Sequence, residues 1–414
     1  MSKKVLIIGN VWPEPTSSAA GVRMLQLITL LKENGYKILF ASPAVKNLQR
    51  YNLTDIDIQE DVVEVNSSNF DTYIKKVAPS IVIFDRFMME EQFGWRAQKH
   101  CPEALRILNT EDLHCLRKTR ELHILKSETP FSKESLLEQD ITKREIASIY
   151  RSDISLIISD YEIDLLQNLF AIKPEQLLYI PFLFRPLQKE QIQNWKTFRE
   201  RQHFVTIGNF KHAPNWDSYI YLKKEIWPII RAKLPQAELH IYGSYPPPKA
   251  MQLTNKKDGF IVKGWAEDAN TIMSNGKVCL APLRFGAGIK GKLAEAMLNG
   301  TPSITTTIGA EGMLDDDLDW NGFIQDDPKK FAAAAIKLYS NEILWKQCQQ
   351  NGISIINSRF NQIKFEEKLI TTIEKLLSAL SIHRKKNFIG NMLNFHTLRS
   401  TEYMSRWIEE KNKN

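Results

Sequence analysis

Two rhythms of apolar positions divide this chain into short buried strands and longer amphipathic helices. Residues 4–9 are a continuous apolar run, residues 19–34 repeat apolar side chains at helical spacing, and a second run at 36–42 follows Gly35. Apolar runs with an amphipathic helix between them mark parallel strands buried on both faces. Further runs stand at 81–85, 105–109, 154–159 and 178–182, with helical stretches between several of them. A polar, charged stretch at 188–202 then precedes a new strand at 204–208. Beyond it the alternation resumes, with a helix at 215–233, strands at 238–243, 260–264 and 278–282, a helix at 290–299 and a strand at 303–306. The pattern predicts an α/β protein of two Rossmann-like domains, 1–187 and 188–380, facing each other across a cleft. Residues 328–340 and 360–380 read as helices, and the remaining segment, 381–414, holds a last helix at 399–411. Tyr403, Met404, Trp407 and Ile408 give that helix one apolar face, expected to be buried on the first domain, with a dimer contact as the alternative.

A length of 414 residues exceeds what one core supports, and 43% apolar with 25% charged residues is an ordinary globular balance. The apolar run after the first lysines is too short for a signal peptide, and no stretch is long enough to span a membrane. The four cysteines, Cys101, Cys115, Cys279 and Cys348, have neither zinc-site nor disulfide spacing, which suits a reducing cytoplasm. A net charge of +7 favours anionic partners, from a nucleotide diphosphate to a membrane surface. Basic residues cluster at 383–386, and with no aromatic-basic stripe of the kind that single-stranded nucleic acid needs, nucleic acid is not an expected partner.

The chemistry concentrates in residues 278–300, VCLAPLRFGAGIKGKLAEAMLNG, where a buried strand enters a glycine-rich turn and a helix follows at once. Gly286 and Gly288 allow close backbone approach to an anion, the helix start turns free N–H groups toward it, and Lys290 and Lys292 add full charge. Glu295 falls more than one turn into the helix, within reach of ribose hydroxyls. Read literally, residues 286–291 also match G-x-G-x-x-G, with Glu311 twenty residues on, the fingerprint of a nicotinamide enzyme. Against that reading, the motif lies deep in the second domain and Glu311 falls beyond the strand end.

The segments VTIGNFKHAPNWDS, AELHIYGSYPP and APLRFGAGIKGKLAEAMLNGTPSITTTIGAEGM follow one another between 204 and 313. In content, order and spacing they resemble the donor-binding half of the family 4 glycosyltransferases, in glycosyl transferases group 1, which have the GT-B fold. The first half is similar to the family's acceptor-side domain through the loop ending at Gly21 and through NTEDLHCLR at 109–117. The resemblance implies donor-binding roles for Gly21, Gly208, Asn209, Lys211, Gly286, Gly288, Ile289, Lys290 and Glu295, and catalytic roles for His114 and Lys290. Of the family's two donor-facing glutamates, the second matches Glu295, implied to hold the ribose, while the first falls at Ala287. The arginine and lysine that grip the diphosphate in the family fall near Asn209 and Pro214, with Lys211 or Lys290 as substitutes. The chain resembles a subgroup with G-A-G-x-K-G-K in place of the acidic motif.

The resemblance implies a retaining transfer from a nucleoside diphosphate sugar, as co-substrate rather than cofactor, to a saccharide or glycolipid acceptor, with peripheral contact at the inner membrane face. Each site residue also has a plainer role open to it. Gly21 suits an ordinary helix start capped by Ser17 or Ser18, His114 a satisfied polar side chain, Asp112 a helix N-cap, and Trp265 either core or a nucleotide-base flank. Asp55-Ile-Asp57 and Asp317-Leu-Asp319 match D-x-D but lie away from the phosphate segment, so no metal is expected. A non-catalytic carbohydrate-binding scaffold and a sugar-nucleotide epimerase are the alternative functions.

Overall fold

The computed structural model describes residues 3–126 and 129–413, apart from the side chains of 397 and 398. Strands β1 (Lys4–Ile8), β2 (Lys37–Ser42), β3 (Gln59–Val62), β4 (Ile81–Asp85), β5 (Leu105–Asn109), β6 (Ile154–Ile157) and β7 (Leu177–Tyr179) form one sheet. Its order is β3-β2-β1-β4-β5-β6-β7, every pair parallel. Strands β8 (Gln202–Ile207), β9 (Leu239–Tyr242), β10 (Phe260–Gly264), β11 (Gly276–Ala281), β12 (Ser303–Thr305) and β13 (Gly322–Ile324) form a second parallel sheet, ordered β10-β9-β8-β11-β12-β13.

Along β1, Val5 and Ile7 enter one core while Leu6 and Ile8 enter another, so both faces of the sheet are covered, as its unbroken apolar strands require. β3 escapes the apolar pattern because its sequence is QEDV. It is an edge strand held by backbone pairing to β2, with Glu60 buried against Lys46 and Arg50. The helix expected at 215–233 is interrupted. Ala213–Tyr221 passes through one π-turn at Leu222–Ile226 into Trp227–Lys233. Pro228 explains this, since it has no N–H to give and its ring crowds the preceding turn.

Two elements differ from their expected placement. Helix Gln362–Ser378, grouped by sequence with the second domain, sends Phe365, Leu369, Ile373 and Leu376 into the core shared by Val5, Ile7 and Met24 of the first sheet. The last helix starts eleven residues earlier than 399 and runs Phe388–Lys411, with the Asn387 side chain accepting from the Gly390 N–H at its start. It does pack on the first sheet's helices Phe87–His100 and Asp140–Arg151. The face that packs, however, is the polar one. Tyr403, Met404 and Trp407 remain 70%, 58% and 60% exposed, because Asn394, Ser405 and Glu402 make the contacts instead. Among the described residues, no helix is long and apolar enough to cross a membrane.

Candidate functional site

The carboxyl ends of both sheets meet across one cleft, and β8 and β11 are the neighbours at which the second sheet's strand order reverses. Open parallel sheets bind ligands at such a switch point. The cavity there, about 450 Å³, is lined from both walls. That size suits a nucleotide-sized ligand.

On the second-sheet wall, β11 runs into the turn at Phe285 and helix Gly291–Leu298 begins at once. Gly288 has φ +62°, and a Cβ there would stand 2.9 Å from the Cβ of Asp112, so only glycine serves. Among the described residues, no side chain caps this helix. Its first N–H groups, at Gly291 and Lys292, therefore lack the partners that a helix start needs. Lys290 and Lys292 are both buried, and burial pushes each ammonium down to about 8. Lys290 Nζ donates to the Gly288 carbonyl at 2.7 Å and Lys292 Nζ to Asn215 Oδ1 at 2.8 Å. Asn215 in turn donates to the Asn209 carbonyl at 3.0 Å, tying the loop after β8 to the glycine turn. Glu295 lies on the cavity wall, where burial raises its carboxyl to about 6 against the pull of Lys292.

On the opposite wall, burial holds His114 neutral, its imidazole lowered to about 4. Its Nε2 lies 3.4 Å from Asp112 Oδ1, and its ring meets Phe87 edge-on. Burial alone would raise the Asp112 carboxyl, but Arg117, at 2.7 Å, and His114 outweigh it and hold it below the usual range. Asp112 is not the N-cap that its position suggested. Helix His114–Lys126 is capped from outside, by Glu145 accepting from the N–H groups of His114 and Cys115 and by Glu162 accepting from that of Leu113. Glu162 reaches across the cleft as well, accepting from the Gly288 N–H at 2.9 Å, and burial raises its carboxyl to about 8. One donor of the expected phosphate turn is thus already used, which shifts the open donors toward the helix start.

Arg120 spans the same gap. It donates to the Gly286 carbonyl at 2.9 Å and pairs with both oxygens of Glu311 at 2.8 and 2.7 Å, so Glu311 is an inter-wall ion pair. Ala287, where the resemblance leads one to expect a glutamate, packs against the first sheet's apolar cluster.

His114, Gly208, Asn209, Lys211, Gly286, Gly288, Ile289, Lys290 and Glu295 all line this cavity. Gly21 is not among them. A Cβ at Gly21 would lie 2.5 Å from Glu14 backbone atoms, and its N–H is taken by the capping Ser18 hydroxyl at 3.1 Å. Sequence reasoning missed Arg86, Arg117, Glu111 and Asn215, which also face the cavity. Arg117 had a signal, standing one turn after His114 in the segment already singled out. Arg86 had none, since it stands on the cavity wall at a backbone of φ +72° between β4 and the next helix. Trp265 lines the cavity mouth at 47% exposure. Neither D-x-D pair reaches it. Among the described residues, one trio, His203, Glu238 and His240, brings ligand-type atoms within 4.8 Å, at the amino ends of β8 and β9 and so away from the cleft.

No curated protein matches the sequence. Residues 201–341 match the family model described as glycosyl transferases group 1. Anabaena HepE, solved with UDP and glucose, superposes with a TM-score of 0.65 over 90% of this chain and 99% of its own, at 12% identity. Sucrose-phosphate synthase from Thermosynechococcus elongatus gives 0.66 over 91% and 100%, at 16% identity. The pneumococcal O-GlcNAc transferase GtfA, solved with UDP and GlcNAc, gives 0.66 over 91% and 99%, at 13% identity. The fold is therefore that of these solved structures, GT-B, and the wall that carries Lys290, Lys292 and Glu295 lies within the segment that matches the glycosyl transferases group 1 model.

Proposed function

We propose that this chain transfers a sugar from a nucleoside diphosphate sugar to a saccharide or lipid-linked acceptor, with retention of configuration and without a metal ion. The observation that carries the reading is the uncapped helix start at Gly291, flanked by two buried lysines and facing Glu295 in one cavity. The diphosphate binds the Gly291 and Lys292 N–H groups together with the Lys290 and Lys292 ammoniums, and Glu295 accepts from the ribose hydroxyls. Negative charge grows on the departing diphosphate as the glycosidic bond to it breaks. Two ammoniums and an aligned helix start, fixed in a buried site, stabilise that charge without reorganising. His114, neutral at pH 7, is placed to hydrogen-bond a donor sugar hydroxyl, and Asp112 orients it at 3.4 Å. The leaving phosphate itself accepts the acceptor proton. Packing of Ala287 against the opposite wall leaves sugar recognition to the first-sheet side, which fits a subgroup with a G-A-G-x-K-G-K loop. The acceptor enters from that side, in the cytoplasm or at the inner face of the membrane.

Differential scanning fluorimetry with a panel of nucleoside diphosphates and their sugars tests the reading, because ligand that binds only the native state raises the melting midpoint. At least one diphosphate should stabilise the wild type, and Glu295→Ala should weaken it about tenfold, the loss of a charge-assisted hydrogen bond. No shift with any nucleotide would reject the donor site.

A further inference from the structure

The helix Phe388–Lys411 turns its small and polar side chains inward. Gly390 lies against the Tyr150 carbonyl, Asn394 donates to the Arg151 carbonyl at 3.3 Å, and Ser405 accepts from Arg96 at 3.0 Å. Phe388, Met392, Phe395, Tyr403 and Trp407 occupy the opposite side, 45% to 74% exposed. Their spacing at 3.6 residues per turn sets them in one stripe along a helix of 24 residues, about 36 Å long. An exposed apolar stripe of this length on an otherwise well-packed protein marks an interaction surface.

Charge selects the occupant. Residues 380–414 carry seven lysines and arginines against three glutamates, a net +4 within a chain whose total is +7. The glutamates are engaged, Glu402 with Lys99, Glu409 with Ser68 and Glu410 with Lys413. Arg384 is spent inward on Asp153, leaving Lys385 and Lys386 exposed just ahead of the stripe. Arg399 stands within the stripe, 5.0 Å from the Phe395 ring, and Lys411 closes it over Trp407 at 5.2 Å. Aromatic side chains interleaved with free cations along one helix face match the boundary between headgroups and acyl chains. A second copy of this chain fits worse, since a two-fold contact centred on the stripe brings both Arg399 side chains within about one turn of each other.

We propose that this face docks the protein on an anionic lipid surface, with the helix lying flat and Phe388, Phe395, Tyr403 and Trp407 inserted between headgroups. The proposal deepens the membrane-face part of the proposed function by naming the helix that makes the contact, and since that helix lies outside the cavity its failure would leave the donor site untouched. Co-sedimentation of the full chain with phosphatidylcholine vesicles, and with vesicles one third phosphatidylglycerol, tests it in the absence of any nucleotide. Binding is expected to the anionic vesicles and not to the neutral ones, with a blue shift of tryptophan emission that Trp407→Ser reduces. Phe395→Ser with Trp407→Ser should lower partitioning about tenfold or more, and Lys385→Glu with Lys386→Glu and Arg399→Glu should remove the preference for anionic lipid. Both variants change exposed positions, so an unchanged melting midpoint confirms that they fold. Three results would overturn the proposal. These are no binding to anionic vesicles, equal binding by the wild type and both variants, or a dimer in sedimentation velocity that the Phe395→Ser, Trp407→Ser variant dissolves.

Discussion

Two helix starts face the cleft from opposite walls. Helix Ala19–Glu33 begins at Ser18, whose hydroxyl accepts from the Gly21 N–H, and the loop before it folds back so that the Glu14 backbone covers Gly21. Helix Gly291–Leu298 begins at Lys290 with no side-chain cap, beside two ammoniums that burial has pushed down to about 8. Both starts carry the same backbone dipole, and both are preceded by a loop with the look of a phosphate turn. They differ in the charge beside them, since each has its third N–H taken, Gly21 by the Ser18 hydroxyl and Leu293 by the Lys290 carbonyl at 2.9 Å, and only the second has buried ammoniums at hand. A helix start suits an anion when fixed positive charge stands beside its open donors and the backbone leaves them approachable. The difference is decided by two lysines on one wall and by the Glu14 backbone closed over Gly21 on the other.

The largest effect that separates the two starts should come from the lysines. Lys290→Met combined with Lys292→Met removes both charged donors while keeping the buried stems. Each charge-assisted hydrogen bond to phosphate is worth about 1.5 to 3 kcal/mol. The pair should therefore raise the donor dissociation constant by about a hundredfold or more in isothermal titration. The melting midpoint of the ligand-free protein should hold or rise, because two buried charges are gone. Wild-type affinity in the double variant would break the comparison by showing that the open start is not where the donor binds.

The same lysines give a pH signature that the capped start lacks. In the free protein their ammoniums titrate near 8, below the ordinary lysine value, and a bound diphosphate holds them protonated. Donor affinity therefore falls as pH rises through about 8, and binding above that pH takes up protons. Glu295 sets the other limit. Its carboxyl titrates near 6, and the protonated form accepts ribose hydrogen bonds less well, so affinity also falls as pH drops through about 6. The expected profile is a maximum between those values, several-fold above either flank. Titrations at pH 8.5 in two buffers of different ionisation enthalpy would read the proton uptake directly. A flat profile from pH 5.5 to 9 would remove the lysines and Glu295 from the donor contact.

Most of the second wall is legible in the sequence, because everything that builds it lies within one local segment. The strand, the glycines at 286 and 288, the lysines and Glu295 fall within one run of twenty residues, and spacing alone brings them to one turn. The first wall is legible only in outline. Glu162 and Arg120 reach the glycine turn from helices distant in sequence, and no local pattern announces a glutamate that caps Leu113 and Gly288 together. The α/β grammar of both sheets is read from the apolar runs, whereas β3, with its QEDV sequence, depends on long-range pairing to β2. Amphipathicity also misleads where two helices are compared. In Gln362–Ser378 the apolar face is the buried one, and in Phe388–Lys411 it is the exposed one. The pattern gives a helix its faces, and only the surface that it meets decides which face turns inward.

The smallest effect is the sharpest control. Ser18→Ala removes the hydroxyl that accepts from the Gly21 N–H of the first helix and should cost about 1 kcal/mol of stability, the usual loss of an N-cap. Donor affinity should change by less than about twofold, since the Gly21 N–H that it frees is still covered by the Glu14 backbone, which leaves a phosphate no approach. Stability and affinity would then respond to opposite walls, with Ser18→Ala lowering the melting midpoint alone and the lysine pair weakening the donor alone. A tenfold loss of donor affinity in Ser18→Ala, at temperatures where the variant is folded, would show that the diphosphate is gripped from both helix starts. The open start at Gly291 would then be half of the anion site, and the closed loop at Glu14 would have to move before the donor binds.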